Sequence, residues 1–377
     1  MKEKTKDIST YVLVNIILLI VATFLISFVV IEYKLNKEKI ATNIGIETNV
    51  IVSSLQSNNK EEENDDINQN VPIVVPNIVD YNTPVIIQEK QSSYKYYYQQ
   101  LDDNAKKIYN AIEQNIDNIK TGTYTIKLSN EIANILLNEN GTEILNKQFQ
   151  SAWDAIIMDR VELFFIDISK IELKIKTITY GNSVEYYLSM GPNDTGSYLE
   201  TGFQNEQIVN MALNQVANTR NQIISELSGS IYNKILQVHD WLVENLEYGT
   251  EISGKNSYNI YGALINKSVV CEGYAEAFKY IMDELDIPCI LVVGKAQNSE
   301  GNIENHEWNY VEIDGKWYAV DVTWDDPIVL SGYLTNSIKH KYFLKGSNTM
   351  NSNHSPNGQI SGRGIEFKYP TLQVGDY

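Results

Sequence analysis

Three residues of the types used in nucleophilic catalysis follow one another in the second half of the chain: Cys271, His306 and Asp321. A cysteine thiolate attacks carbonyl carbon, and a histidine can take up and return the proton involved. A carboxylate bound to the second imidazole nitrogen keeps that ring in the useful tautomer. Such a set performs acyl transfer through a thioester and needs no metal or cofactor. This chemistry requires the three side chains to lie in contact. The helices and strands that carry them must therefore bring them together.

The cysteine stands at the start of a helical pattern. In CEGYAEAFKYIMDELD (271–286), apolar residues recur on one helical stripe that Cys271 opens, and Pro288 closes the segment. The positive end of a helix dipole favours the thiolate form of a cysteine placed there. The second cysteine, Cys289, lies in the short apolar strand PCILVVGKA (288–296) without a C-x-x-C pattern. We interpret it as a buried apolar side chain rather than a redox partner.

The histidine and the aspartate belong to a predicted β-hairpin. HEWNYVEI (306–313) and KWYAVDVTW (316–324) read as strands joined by Asp314-Gly315, a dipeptide typical of two-residue turns. In the register of such a turn, Asp321 is the diagonal neighbour of His306 on the same face of the hairpin. A slip of one residue would carry the two side chains to opposite faces. The turn therefore predicts that His306 and Asp321 lie side by side.

The residues around these positions form three blocks: C-x-G-Y-A at Cys271, H-x-W-N at His306 and W-Y-x-V-D-x-T-W-D-D-P at Asp321. Their sequences, their order and their spacings of 35 and 15 residues resemble the transglutaminase-like superfamily, the papain-like group with a Cys-His-Asp triad. The version found in bacterial envelope proteins is the most similar. The resemblance covers most of residues 94–377. It implies that Cys271 is the nucleophile, His306 the general base and acid, and Asp321 the orienting carboxylate.

The resemblance also implies an α+β fold. A papain-like core, in which the cysteine helix packs on an antiparallel sheet, is expected over residues 229–377, preceded by a smaller α+β accessory region over 94–228. One departure is Asn266-Lys267-Ser268, which stands where a glycine is common before the cysteine block. Capture of the thioester by water would make a peptidase or amidase, and capture by a lysine amine would make a transglutaminase. The alternative is a non-catalytic envelope module that uses the same fold for binding.

An apolar segment near the amino terminus predicts a membrane anchor. Residues 11–31, YVLVNIILLIVATFLISFVVI, carry no charge, and a helix of that length spans about 31 Å, enough for a hydrocarbon core of roughly 30 Å. A cleaved signal peptide would have a shorter apolar region that ends at a small-residue cleavage site, whereas Glu32 and Tyr33 follow here. We expect residues 1–10 to form a cytoplasmic head, 11–31 a retained transmembrane helix, and the folded part to be extracellular.

Residues 32–93 are expected to form a disordered tether. Within 41–93 there are eight acidic residues against two lysines, and Pro72, Pro76 and Pro84 interrupt the apolar runs. The whole chain of 377 residues has a net charge of −18, which gives it no electrostatic reason to bind nucleic acid. Two cysteines exclude a disulfide framework and a four-cysteine zinc site. The expected partners are envelope proteins or peptides as substrates and the lipid bilayer, with no cofactor and no metal.

Other polar residues have simpler interpretations. His239 lies in a helical pattern and is expected to be packed or hydrogen-bonded. His340 and His354 occur in loop-like sequence without the spacing of a metal site. Asp325-Asp326 is interpreted as a turn that ends a strand rather than as a calcium site. Tyr261 could donate to an oxyanion beside the cysteine or be a packed tyrosine, and the sequence leaves both open.

Overall fold

The structure is a computed structural model that describes residues 48–54, 94–180, 183–250, 252–326 and 336–377. The predicted head (1–10), the predicted anchor (11–31) and most of the predicted tether (32–93) lie outside these ranges. Among the helices in these ranges, none has both the length and the apolar character needed to cross a bilayer. Thr48–Ser54, within the range predicted to be a tether, forms strand β1.

Residues 94–228 contain mainly helices and one further group of strands. The helices are α1 Asp103–Glu113, α2 Ile116–Ile119, α3 Asn130–Ala133, α4 Gly141–Asp159 and α5 Glu206–Glu226, and the strands are β2 Ile126–Lys127, β3 Ile171–Tyr180 and β4 Ser183–Pro192. Short 3-10 helices occur at Tyr98–Gln100, Asn134–Leu137, Val161–Leu163 and Ile168–Lys170. The strands form a sheet in the order β1-β3-β4-β2. At the start of α1, the Asp102 side chain accepts the Ala105 N–H and caps the helix.

Residues after 228 form a second group of elements. The helices are α6 Ile231–Asn245, α7 Cys271–Glu284, α8 Asn336–Lys339 and α9 Ser347–Met350, with a 3-10 helix at Gly254–Tyr258 and a π-helical turn at Gly262–Asn266. The strands are β5 Glu247–Tyr248, β6 Ser268–Val269, β7 Cys289–Gln297, β8 Ile303–Ile313, β9 Lys316–Val320 and β10 His354–Pro356. The predicted boundary at residue 228 falls between α5 and α6 and stays a prediction.

The core of this second group is an antiparallel sheet with α7 packed on it. The strand order is β10-β7-β8-β9, and each neighbouring pair is antiparallel. Helix α7 packs against β7 and β8, and from His306 to Val311 in β8 and from Tyr318 to Val320 in β9 the residues are buried. The expectation of a cysteine helix on an antiparallel sheet is therefore confirmed.

The chain separates into two compact units. The smaller one contains the described residues 48–50 together with Ile175–Tyr187, the parts of β3 and β4 nearest their connection. The larger one contains Ile51–Lys174 and Leu188–Tyr377. All residues of the candidate site described below belong to the larger unit.

The hairpin of β8 and β9 has the register that the turn dipeptide predicts. Asp314 and Gly315 have φ angles of 51° and 69°, so both lie in the left-handed region that a type I′ turn requires. Ile313 pairs with Lys316, and the pairing continues in step to the end of β9. The strand ends at Val320 rather than at Trp324, because the Asp321 carboxylate accepts the Trp324 N–H at 3.1 Å and the chain turns there.

Strand β10 adds to the edge of the sheet beside β7. His354 pairs with Ala296, and Pro356 pairs with Gly294. A Cβ atom on Gly294 would lie 2.3 Å from the Ser355 carbonyl oxygen, so only glycine lets β10 approach this closely. The pairing places His354 on the sheet, where the sequence had predicted a loop.

Candidate active site

Cys271 is the first residue of α7, as the helical stripe predicts. The residue is 9% exposed, and its thiol is close enough to His306 to contribute to the raised pKa of that histidine. Just before Cys271, Lys267 has a φ of 64°, the left-handed conformation that a glycine adopts most easily. By contrast, Cys289 is fully buried in β7, and burial raises the pKa of its thiol. The interpretation of Cys289 as a core residue is confirmed.

His306 lies on β8 and connects the other two groups. Its ring is 3% exposed, and its Nε2 atom is 2.7 Å from Asp321 Oδ2, which leaves Nδ1 for the Cys271 thiol. Burial alone would lower the pKa of His306. The charge and hydrogen bond of Asp321, and then the contact with Cys271, outweigh burial and raise this pKa to about 10. At neutral pH the ring is therefore an imidazolium, the partner that stabilises a cysteine thiolate.

Asp321 follows β9 directly and is fully buried. Its Oδ2 atom accepts from His306, its Oδ1 atom accepts the Trp324 N–H, and its own N–H donates to the Tyr342 carbonyl at 3.1 Å. Burial raises the pKa of this carboxyl, but the charges and hydrogen bonds of His306 and His354 outweigh burial and hold the pKa well below its usual range. The group is therefore a carboxylate that can orient the imidazole of His306 and stabilise its protonated form.

His354 is the site residue that the sequence reasoning missed. Its Nε2 atom lies 3.0 Å from Asp321 Oδ2, the same oxygen that His306 contacts, and its side chain is 1% exposed. The sequence around it, NSNHSP, has no apolar periodicity and reads as a loop. Only the pairing of β10 with β7 brings it to Asp321, so no local signal could have found it.

Two groups of side chains within the described residues have the composition of a metal site. The donor atoms of His306, Asp321 and His354 lie within 4.8 Å of one another. The donor atoms of a second group, His239, Asp240 and His340, lie equally close together. Two imidazoles with one carboxylate would suit a transition metal. In both groups, however, the carboxylate is hydrogen-bonded by the histidines. These donor atoms are thus satisfied without an ion.

His239 anchors the turn that follows Asp321. It is fully buried, with Nδ1 3.1 Å from Asp240 Oδ1 and Nε2 3.1 Å from Asp325 Oδ2. Burial lowers its pKa, but the hydrogen bonds and charges of the two carboxylates outweigh burial and raise it. Asp325 in turn accepts the Tyr342 N–H at 2.8 Å. The prediction of a packed, hydrogen-bonded histidine is confirmed, and Asp325 lies in a turn as expected.

Tyr261 is a packed tyrosine. Its ring is fully buried against Phe164 and Phe203. Its hydroxyl donates to Gln215 Oε1 at 3.2 Å. Of the two roles left open by the sequence, the structure thus supports packing.

A cavity of about 140 Å³ lies beside α7, and Glu272, Glu276 and Glu307 are among the residues that line it. Burial, followed by the charge of Glu272, raises the pKa of Glu276 well above its usual range. Cys271, His306 and Asp321 do not belong to the lining. This cavity is therefore separate from the reacting atoms.

A comparison with protein-family models finds a match in the second half of the chain. Residues 218–322 match the family model described as the transglutaminase-like superfamily, a range that contains Cys271, His306 and Asp321. The resemblance found in the sequence is thereby confirmed for this part of the chain.

Known relatives and solved structures share only part of their length with this chain. Kyphoscoliosis peptidase from Mus musculus is 23% identical over 155 residues, which are 37% of this chain and 23% of that protein. The chain thus spans about a quarter of the length of the curated relatives it matches. A crystal structure of a TGase is 14% identical with a TM-score of 0.28 and covers 46% of this chain and 50% of that chain. The periplasmic domain of TgpA from Pseudomonas aeruginosa, bound to ethylmercury, is 12% identical with a TM-score of 0.23 and covers 41% and 72%.

Proposed function

We propose that this chain, with its transglutaminase-like domain at residues 218–322, is a cysteine acyl-transfer enzyme that acts on protein or peptide amides through a thioester. The observation that carries the proposal is the contact of Cys271, at the start of α7, with His306, which is itself 2.7 Å from the buried carboxylate of Asp321. Burying ionisable groups together costs free energy. A module that only binds a partner has no need for this particular set.

In the first half of the reaction, the Cys271 thiolate attacks the amide carbonyl carbon and a C–S bond forms. The carbonyl oxygen becomes an oxyanion, and the first N–H groups of α7, which have no partner inside the helix, are suited to stabilise it. The C–N bond then breaks while His306 passes its Nδ1 proton to the departing nitrogen. An amine leaves, and the acyl group stays on Cys271 as a thioester.

In the second half, an acceptor captures the acyl group. Water or a primary amine gives a proton to His306 Nδ1 as it attacks the thioester carbon, and the C–S bond breaks to restore thiolate and imidazolium. Water yields hydrolysis, and a lysine amine yields transamidation. Because the leaving amine needs the His306 proton, the rate should fall as the pH rises through about 10, the pKa of His306.

The test incubates the full-length protein with isolated cell-envelope protein and a biotinylated primary amine, and mass spectrometry scores the products. Amine attached to glutamine side chains identifies a transglutaminase, and new peptide ends identify a peptidase. Cys271→Ala should lower product formation by about 10³-fold or more, the scale seen when a catalytic nucleophile is removed. Cys289→Ala is the matched control and should keep the activity.

Two outcomes would contradict the proposal. One is the absence of both products with the wild-type protein, and the other is equal product from Cys271→Ala. Either outcome would favour the alternative, a non-catalytic envelope module that uses the transglutaminase-like fold to bind a partner.

We further propose that residues 11–31 anchor the protein in the cell membrane and that the folded part faces outward, which makes envelope proteins or peptides the substrates. The support is the charge-free run in the sequence and the absence of a cleavage pattern after it. Protease added to intact cells should remove the folded part and leave a small membrane-bound stub. A folded part that stays protected until the cells are lysed would contradict the orientation.

A further inference from the structure

Asp321 serves two histidines rather than one. His306 Nε2 and His354 Nε2 lie 2.7 Å and 3.0 Å from the same carboxylate oxygen, Oδ2. We propose that His354 is a positioning residue, which holds the Asp321 carboxylate in the orientation and charge state that His306 requires. It does so without touching the reacting atoms itself. This inference rests on the proposed function of the Cys271 site.

The ring of His354 is fixed on every side. Its Nδ1 atom is 2.8 Å from Asn353 Oδ1, and Asn353 Nδ2 in turn donates to the Tyr342 hydroxyl at 2.8 Å. The ring centroids of Trp324 and Trp308 lie 4.6 Å and 5.0 Å away. With its backbone paired in β10, the imidazole has little freedom to turn away from Asp321.

The contact matters because Asp321 is fully buried. A buried carboxylate without enough donors is destabilised, and it would take up a proton or rotate toward other partners. His306 alone supplies one donor to Oδ2, and in the catalytic cycle it must also exchange its other proton with substrate and product. His354 takes no part in that exchange, so its N–H remains on Oδ2 whichever protonation state His306 has. The carboxylate is thus held in place through the cycle.

The test measures the rate at which iodoacetamide alkylates Cys271 at about pH 6 in the full-length protein. His354→Phe keeps an aromatic ring but removes the donor, and it should lower the rate by about 10-fold, the lower end of the losses seen when an outer partner that orients a histidine is removed. The loss should not exceed that of Asp321→Ala, because His354 acts through this carboxylate. His354→Gln places an amide N–H near the former Nε2 position and should stay within about threefold of the wild type. His354→Leu is a smaller replacement for the case that Phe does not fit.

A double variant separates positioning from general support of the fold. If His354 acts through Asp321 on His306, then His354→Phe should have no further effect on the rate once His306 is already Ala. His340→Phe is the matched control, because His340 also contacts a carboxylate, Asp240, at 2.6 Å but lies outside the site. It should leave the alkylation rate of Cys271 unchanged. Thermal unfolding reports whether each variant is folded.

The outcomes are distinguishable. A wild-type Cys271 that reacts no faster than a free thiol removes the proposed function and this inference with it. A reactive wild type in which folded His354→Phe and His354→Leu keep the full rate overturns this inference alone. A loss that persists unchanged in the His306→Ala background also overturns it, since it would assign His354 to the fold and not to His306. Failure of His354→Gln to recover the rate would mean that the donated N–H is not what matters.

Discussion

Iodoacetamide at about pH 6, below the free thiol value of about 8.5, should alkylate Cys271 at least about 100-fold faster than Cys289 in the folded protein. Cys271 is the first residue of α7, lies beside His306 and keeps 9% of its surface exposed, so we expect it to be the more reactive of the two cysteines. Cys289 is fully buried in β7, and burial raises the pKa of its thiol. The measurement is the alkylation rate of each cysteine by peptide mass spectrometry.

Two variants should lower the alkylation rate of Cys271 to different extents. His306→Ala removes the cation that stabilises the thiolate and should lower the rate at Cys271 by about 10–100-fold. Asp321→Ala should lower it less, because this carboxylate acts only through His306. Equal rates at the two cysteines, or a Cys271 rate indifferent to His306, would take away the mechanism and leave the binding module as the better account.

Insertion of one alanine between Asp314 and Gly315 should lower acyl transfer by about 10³-fold or more, the scale of losses when the orienting carboxylate of a triad fails. The two-residue turn sets the pairing of β8 with β9, and a shift of one residue turns the Asp321 side chain to the face opposite His306. The same shift also moves the buried side chains of β9, so folding is measured beside activity, and the loss of activity should exceed the loss of folded protein. Product formation and thermal unfolding of the same variant provide the two measurements.

The matched control inserts the same residue between Glu300 and Gly301, in the exposed connection of β7 and β8. A Cβ on Gly301 would meet only the end of the Gln297 side chain, at 3.9 Å, so the loop has room, and the control should stay active. If the hairpin variant is folded and as active as the control, then the register of the hairpin is not what brings His306 and Asp321 together.

Features encoded by neighbouring residues could be predicted from the sequence. The start of α7 at Cys271 follows from the helical stripe, and the hairpin register follows from Asp314-Gly315, because few other dipeptides accept positive φ at both positions. The end of β9 could not be predicted in the same way. Alternation of apolar and polar residues continues to Trp324, whereas the Asp321 carboxylate binds the Trp324 N–H and ends the strand earlier.

Features that depend on distant contacts could not be predicted. His354 is 33 residues from Asp321, and its place in the site depends on the space beside Gly294 that lets β10 approach β7. The segment before Cys271 shows a second reason why prediction from sequence is incomplete. Lys267 stands near a position where the family commonly has glycine, and it keeps the left-handed backbone with φ 64° at a cost of about 1–2 kcal/mol. The left-handed backbone before Cys271 is therefore kept although Lys267 is not a glycine.

The four side chains of the site come from α7, β8, the turn after β9 and β10, and this order has a consequence for synthesis. A growing chain emerges amino-terminus first, so Cys271 and the hairpin are made before Tyr342, which binds the Asp321 backbone, and before His354. Until residues 342–356 have emerged and packed against the sheet, their contacts with Asp321 are missing. The carboxylate that stabilises protonated His306 is then held less firmly. The nucleophile would then acquire its full reactivity only in the last stage of folding. A chain that ends before β10 should therefore carry a less reactive Cys271 than the complete chain.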